Sequence, residues 1–231
     1  MHHPRGSALL IDADDTLWEN NVCFEQVRAQ FLQWMEALGF PGGEVEETFA
    51  EMEHENIRNN GCGGENFVAS LKDTYLSFRP DPATRDHALS QIDAMAETVR
   101  KHPIHLLDGV RDSLEILRRK HRTILFTKGN PTEQNRKIEA SELAGCFEAI
   151  EIVREKSVSA FQRVIARHRL PKQYTWMVGN SPKSDINPAV AAGIGAFYIP
   201  HAWTWKRERE ELCVSTQVTV LKRFSDLLEH L

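Results

Sequence analysis

These 231 residues encode an α/β protein, a parallel-sheet core with helices on both faces and an all-helical cap domain inserted after its first strand. Two observations carry that expectation. Short apolar runs and amphipathic stretches alternate through the C-terminal half, the pattern of a parallel sheet crossed by helices. A further apolar run ending in Asp12 stands near the N-terminus, and no convincing strand follows it before residue 106. The core is therefore expected over residues 1–17 and 106–231, and the cap over 18–105.

Taken in chain order, residues 7–11 (SALLI) form the first strand. Helical patterns follow at 20–38, 43–59, 65–77 and 84–101, separated by Gly39–Gly43, Gly61–Gly64 and the Arg79–Pro82 turn. A helix at 108–120 leads into a strand at 123–127 (TILFT). The next helix, 131–143, starts on Pro131, where a missing N–H costs nothing. Buried strands at 149–153 (AIEIV), 175–179 (TWMVG) and 196–200 (AFYIP) alternate with helices at 158–168 and 184–192, the latter stopped by Gly193. The mixed run KREREE at 206–211 reads as a solvated helical face.

Composition narrows the function classes. With 41% hydrophobic and 26% charged residues the chain is an ordinary globular protein. A net charge of −5 argues against nucleic-acid binding by broad phosphate neutralisation. No 18-residue apolar stretch could span a membrane and no signal peptide is evident, so a cytoplasmic location is expected. Cys23, Cys62, Cys146 and Cys213 stand alone in their segments, as reduced thiols do rather than a zinc or redox motif. Apolar stripes on the cap helices fit a core and an oligomer interface equally well.

Open α/β sheets bind ligands at the carboxyl ends of their strands. There the sequence places Asp12, Asp14 and Asp15, then Thr127-Lys128-Gly129, then Lys156, then Asn180 and Asp185. Convergent oxygen donors suit Mg²⁺, a hard cation that shares its coordination with phosphate. A carboxylate can attack phosphorus, and a second one two residues on can move the leaving-group and water protons. A hydroxyl and an ammonium can hold and neutralise the phosphoryl group. Together these parts describe phosphoryl transfer.

The sequence resembles the haloacid-dehalogenase-like (HAD) superfamily, a Rossmann-like core, over essentially the whole chain. LLIDADDTL at 9–17 matches the DxDx(T/V) hallmark, ILFTKGN at 124–130 the strand ending in Ser or Thr, IVREKS at 152–157 the lysine motif, and GNSPKSDINPAVAAG at 179–193 the acidic motif GDxxxxD. The helical insert resembles the cap of the phosphoglycolate-phosphatase-like subfamily, which closes over the site and selects the substrate. The resemblance implies Asp12 as nucleophile and Mg²⁺ ligand, Asp14 as acid/base with its backbone carbonyl on the metal, Thr127 with Lys128 and Gly129 binding phosphate, Lys156 steadying both, and Asp185 on the metal or its waters. Two positions depart from the pattern. Asn180 stands where Asp is usual, which keeps an oxygen ligand but removes a charge, and Ser157 replaces the common Pro. Lys172 and Lys183 are the other lysines in the neighbourhood of the third motif.

Several residues carry blander readings. Asp15 is expected to cap the turn that follows it, and the Trp203/Trp205 pair to pack. His54, His102, His105 and His168 lie in unrelated segments without ligand spacing. The loop Asn59–Gly64 is either a turn between helices or a substrate loop, in which case Arg58 would contact an anionic substrate. The expected function is a Mg²⁺-dependent phosphatase acting on a small phosphorylated metabolite through an aspartyl-phosphate. The alternatives are a phosphomutase, a 2-haloacid dehalogenase (whose family members lack the second acid) and a non-catalytic phosphate-binding or regulatory protein.

Overall fold

The computed structural model describes residues 6–101 and 103–231; the expectation at His102 and those at the first five residues lie outside them. The strand β1 (Ala8–Ile11) is followed by four helices, α1 (Asn21–Ala37), α2 (Gly42–Asn60), α3 (Gly64–Ser77) and α4 (Pro82–Lys101). Then come α5 (Val110–Leu117), β2 (Arg122–Lys128), α6 (Pro131–Ser141), β3 (Ala149–Val153), α7 (Val158–Arg167) and β4 (Thr175–Gly179). The chain ends with α8 (Asn187–Ala191), β5 (Gly195–Tyr198) and β6 (Val218–Val220).

Among the described residues six strands form one sheet, ordered β3-β2-β1-β4-β5-β6, with every neighbouring pair parallel. Alternate side chains point to opposite faces. Leu9, Ile11, Leu125 and Val178 therefore join α5 and α6 residues in one core, while Ala8, Leu10, Ile124 and Met177 pack on α7 and α8 in the other. Each fully buried side chain of this kind contributes about 1.5–3 kcal/mol. The order reverses direction at β1, so the crevice between the ends of β1 and β4 is the place where such sheets bind ligands.

Two compact units divide the chain: the segment through Asn21 with Ile104–Leu231, and Val22–Pro103. The sequence expectation put these borders at 17/18 and 105/106. Trp18, Glu19 and Asn20 stay with the core because Trp18 is buried there, donating through Nε1 to Asp14 at 2.8 Å, and the Glu19 N–H bonds His105 O at 2.9 Å. The helical unit has its own core of Phe31, Met35, Phe49, Leu71, Tyr75 and Ile92. Its 61–63 loop is short and tied down, with Asn66 Nδ2 donating to Gly61 O at 2.6 Å.

Five expectations need correction. β3 is a half-buried edge strand, not a buried one. β6 was not anticipated, since three residues are too few to show alternation. In place of a regular helix from 184, a π-helical turn spans Pro182–Ile186, because the N–H groups of Asp185 and Ile186 both donate to Ser181 O, at 2.9 and 3.1 Å. The run at 206–211 is not a solvated helical face: its first three residues form a 3₁₀ turn and Glu208 is buried. Of the tryptophan pair, Trp203 is 47% exposed rather than packed.

Among the described residues no helix is long and apolar enough to cross a membrane, and none of the four cysteines is in a disulfide.

Candidate active site at the strand ends

Asp12 follows β1 directly, and its backbone N–H donates to Val178 O at 2.9 Å, which continues the pairing with β4. Its carboxylate is buried against Lys156, which leaves β3 by a short loop. Lys156 Nζ also stands 2.6 Å from Asp185 Oδ1, while Asp185 Oδ2 accepts the Ser181 N–H at 3.0 Å. The π-turn carries Asp185 inward to this position. A Cβ on Gly179 would collide with the Asp185 carboxylate, so only glycine fits there. Ser157, in place of the proline, accepts the Ala160 N–H and caps α7 immediately after the lysine. Of the neighbouring lysines, Lys172 instead donates to Ala192 O at 2.7 Å.

The electrostatics follow from two carboxylates sharing one ammonium out of water. Burial, and then the charge of Asp185, push the Asp12 carboxyl up to about 7 despite the nearby Lys156. Burial works against the Lys156 ammonium, but Asp12 and Asp185 outweigh it and hold its pKa above the ordinary lysine value.

Asp14 lies in the opposite setting. Trp18 Nε1 at 2.8 Å, Gln134 Nε2 at 2.9 Å and Lys137 Nζ at 3.0 and 3.1 Å all donate to its carboxylate. Burial raises this carboxyl, yet the Lys137 charge and the hydrogen bonds prevail and hold it below the usual range. Two acids whose environments push them apart are what acid–base chemistry needs. Gln134 also links this acid to the buried Thr127, its Oε1 lying 3.5 Å from the Thr127 hydroxyl.

Asn180 follows β4 and donates through Nδ2 to Thr204 Oγ1 at 3.1 Å. Its Oδ1 then faces the Thr16 hydroxyl at 3.4 Å, and that same hydroxyl lies 3.3 Å from Asp12 Oδ2. One hydroxyl proton cannot satisfy both oxygens, so they converge on a place short of positive charge. With the uncompensated charge of Asp12 and Asp185, this all-oxygen donor set fits a hard cation such as Mg²⁺.

The remaining candidates are placed differently. Lys128 turns to Ser184 Oγ at 2.9 Å and pairs with Glu208, which also accepts from Ser181 Oγ at 2.6 Å. The Gly129 N–H is spent on Val153 O at 3.0 Å, and its φ of +135° is the conformation for which glycine is suited. Arg58 belongs to the helical unit, in the last turn of α2. Asp15, at φ 59°, accepts the N–H groups of Asn20 and Asn21 at 2.9 and 3.0 Å and so caps the start of α1.

Thr16 lay within the DxDx(T/V) match but was given no role, and sequence reasoning missed Gln134, Lys137, Thr204 and Glu208. For Gln134 and Lys137 a signal existed: with Ile138 they share one face of an amphipathic helix, and polar residues on a buried face need partners. Burial pushes the Glu208 carboxyl up, but Lys128 and the serine hydroxyls bring it below its ordinary value. Its stabilisation is therefore complete above the ordinary carboxylate range and lost as pH falls through the lowered value. Glu208→Gln is expected to cost about 2 kcal/mol at pH 7, roughly 5 °C in Tm, with the deficit shrinking in acid; thermal melts at pH 7 and pH 3.5 check it.

The haloacid dehalogenase-like hydrolase family model matches residues 7–193. A haloacid dehalogenase-like family hydrolase from Xanthomonas campestris is 25% identical, with a TM-score of 0.77 over 94% of this chain and 91% of that one. The magnesium-bound HAD-hydrolase YfnB from Bacillus subtilis is 15% identical, with a TM-score of 0.63 over 97% and 98%. L-2-haloacid dehalogenase from Xanthobacter autotrophicus is 13% identical, with a TM-score of 0.62 over 97% of each chain. No curated protein matches significantly. With a family match that spans four strand ends and the acids, hydroxyl and lysine they carry, the chain belongs to the haloacid dehalogenase-like hydrolases.

Proposed function

We propose that this hydrolase is a Mg²⁺-dependent phosphatase acting on a small phosphorylated metabolite through an aspartyl-phosphate on Asp12. The observation that carries the reading is the second carboxylate. Asp14 stands two residues past the nucleophile, ionised, oriented by three side chains and linked through Gln134 to Thr127. Dehalogenation by the first aspartate has no use for it.

Asp12, Asn180, Asp185 and the Asp14 carbonyl would hold the ion. When bound, Mg²⁺ supplies charge that lets an anionic carboxylate approach a phosphate dianion. Asp12 forms the bond to phosphorus as the P–O ester bond breaks, and the departing oxygen takes a proton from solvent water. Lys156 pairs the nucleophile and neutralises charge on the transferring group, and the Thr127 hydroxyl holds a phosphoryl oxygen. Asp14, held ionised, takes the proton from the water that opens the acyl phosphate.

The test is phosphate release from an aryl phosphate and a metabolite panel, with Mg²⁺ and with EDTA, beside halide release from 2-chloropropionate. Metal-dependent phosphate release supports the reading; halide release unaffected by EDTA would overturn it. Asn180→Asp is expected to bind Mg²⁺ roughly tenfold more tightly, since one more charge faces the ion in a partly buried site; calorimetric titration measures it, and unchanged affinity would remove Asn180 from the ligand set.

A further inference from the structure

Asp15 and Glu19, in the turn that follows β1, come together with His201. Each offers a ligand atom within 4.8 Å of the other two. His201 Nδ1 lies 3.7 Å from Asp15 Oδ1, and Nε2 lies 3.4 Å from Glu19 Oε2. His201 Nδ1 and Glu19 Oε2 are wholly shielded from water, yet neither makes a hydrogen bond. A shielded polar atom without a partner costs about 1–3 kcal/mol, and here a basic nitrogen and an acidic oxygen carry that cost side by side. A cation between the ring and the carboxylates would remove the cost at Glu19.

The segments that bear these groups are already fixed. The Asp15 carboxylate is held by the N–H groups of Asn20 and Asn21, and the His201 carbonyl accepts both the N–H and the hydroxyl of Thr204, at 3.1 and 2.9 Å. Ligand atoms about 2.1 Å from a tetrahedral ion stand roughly 3.4 Å apart, which the Nε2–Glu19 separation meets; only one ring nitrogen can take the ion, and one ligand atom from each of the three residues lies within 4.8 Å of the others. One imidazole with two carboxylates selects a borderline ion over Mg²⁺, which prefers oxygen and keeps its waters. We infer that Asp15, Glu19 and His201 form a second metal site, for a divalent cation of the Zn²⁺ type, separate from the oxygen-only site at Asp12. The ion would tie the turn at residues 15–19 to the loop that begins at His201, and Thr204 in that loop bonds Asn180. This inference stands whether or not the chain is a phosphatase.

The experiment is a Zn²⁺ titration of the ¹⁵N-labelled full chain in excess Mg²⁺, following the imidazole nitrogens, with bound zinc counted by equilibrium dialysis. The His201 ring signals are expected to move with the first equivalent of zinc. His201→Ala and Glu19→Gln should each weaken that equivalent at least about 30-fold, and Asp12→Asn should retain it. Glu19→Gln keeps the imidazole and its packing, so it separates loss of a ligand from loss of the fold. If zinc moves other histidines and leaves His201 unchanged, or if both variants bind as tightly as the parent chain, the trio is an imidazole lying between two carboxylates and the inference is wrong.

Discussion

Lys156→Met is expected to be the most damaging single substitution in this protein, abolishing turnover and lowering Tm by roughly 10 °C or more. The lysine side chain is 2% exposed and is paired with both Asp12 and Asp185. Methionine fills the space but leaves two carboxylates side by side out of water with no cation between them. Breaking a buried pair in this way costs about 3–5 kcal/mol, and each kcal/mol is about 2–4 °C for a domain of this size. The Asp12 carboxyl, already raised by burial and by the charge of Asp185, then loses the ammonium that holds it down and rises further. The variant should therefore be least unstable in acid and lose ground as pH rises through that raised value. Adding Asp185→Asn should recover most of the Tm and none of the activity. A drop of less than 2 °C in the single variant would mean that the pairing is not a structural element of the site.

Asp12→Asn is expected to cost at least about a thousandfold in turnover, since in the proposed mechanism Asp12 forms the bond to phosphorus, and at the same time to raise stability. The Asp12 carboxyl sits at about 7 because burial, followed by Asp185, disfavours its charge. A raised carboxyl contributes stability below the ordinary value near 4, and loses it as pH climbs through 7. In EDTA the asparagine variant should thus melt a few degrees above the parent at pH 8 and together with it at pH 4.5. On the proposed mechanism, the buried charge of Asp12 is a local instability kept for function. Equal melting points at pH 8, or turnover retained in the variant, would contradict this account.

Much of the core was readable from sequence because its signals are local. The continuous apolar runs at β1, β2 and β4 are short and bounded, and Pro131 with Asn130 marks the start of α6, where the Asn130 side chain accepts the Thr132 and Glu133 N–H groups. β6 and the edge position of β3 were not legible, since three residues carry no period and burial depends on which strand lies outside. The π-turn at Pro182–Ile186 likewise depends on one carbonyl, Ser181 O, accepting two N–H groups, which no spacing announces.

Strand-end chemistry was determined by the sequence itself. Asp12 and Asp14 after one apolar run, Thr127 after a second, Lys156 past a third and Asn180 past a fourth must share a rim once the strands run parallel. What only the tertiary structure decided is how those groups are charged and restrained. Lys137 reaches Asp14 across 123 residues, and Glu208 reaches Lys128 across 80. His201 comes to Asp15 and Glu19 from the other end of the core. Residue type and period report the neighbours of a side chain along its own element, whereas charge state depends on burial and on partners that only the folded chain brings within a few ångströms.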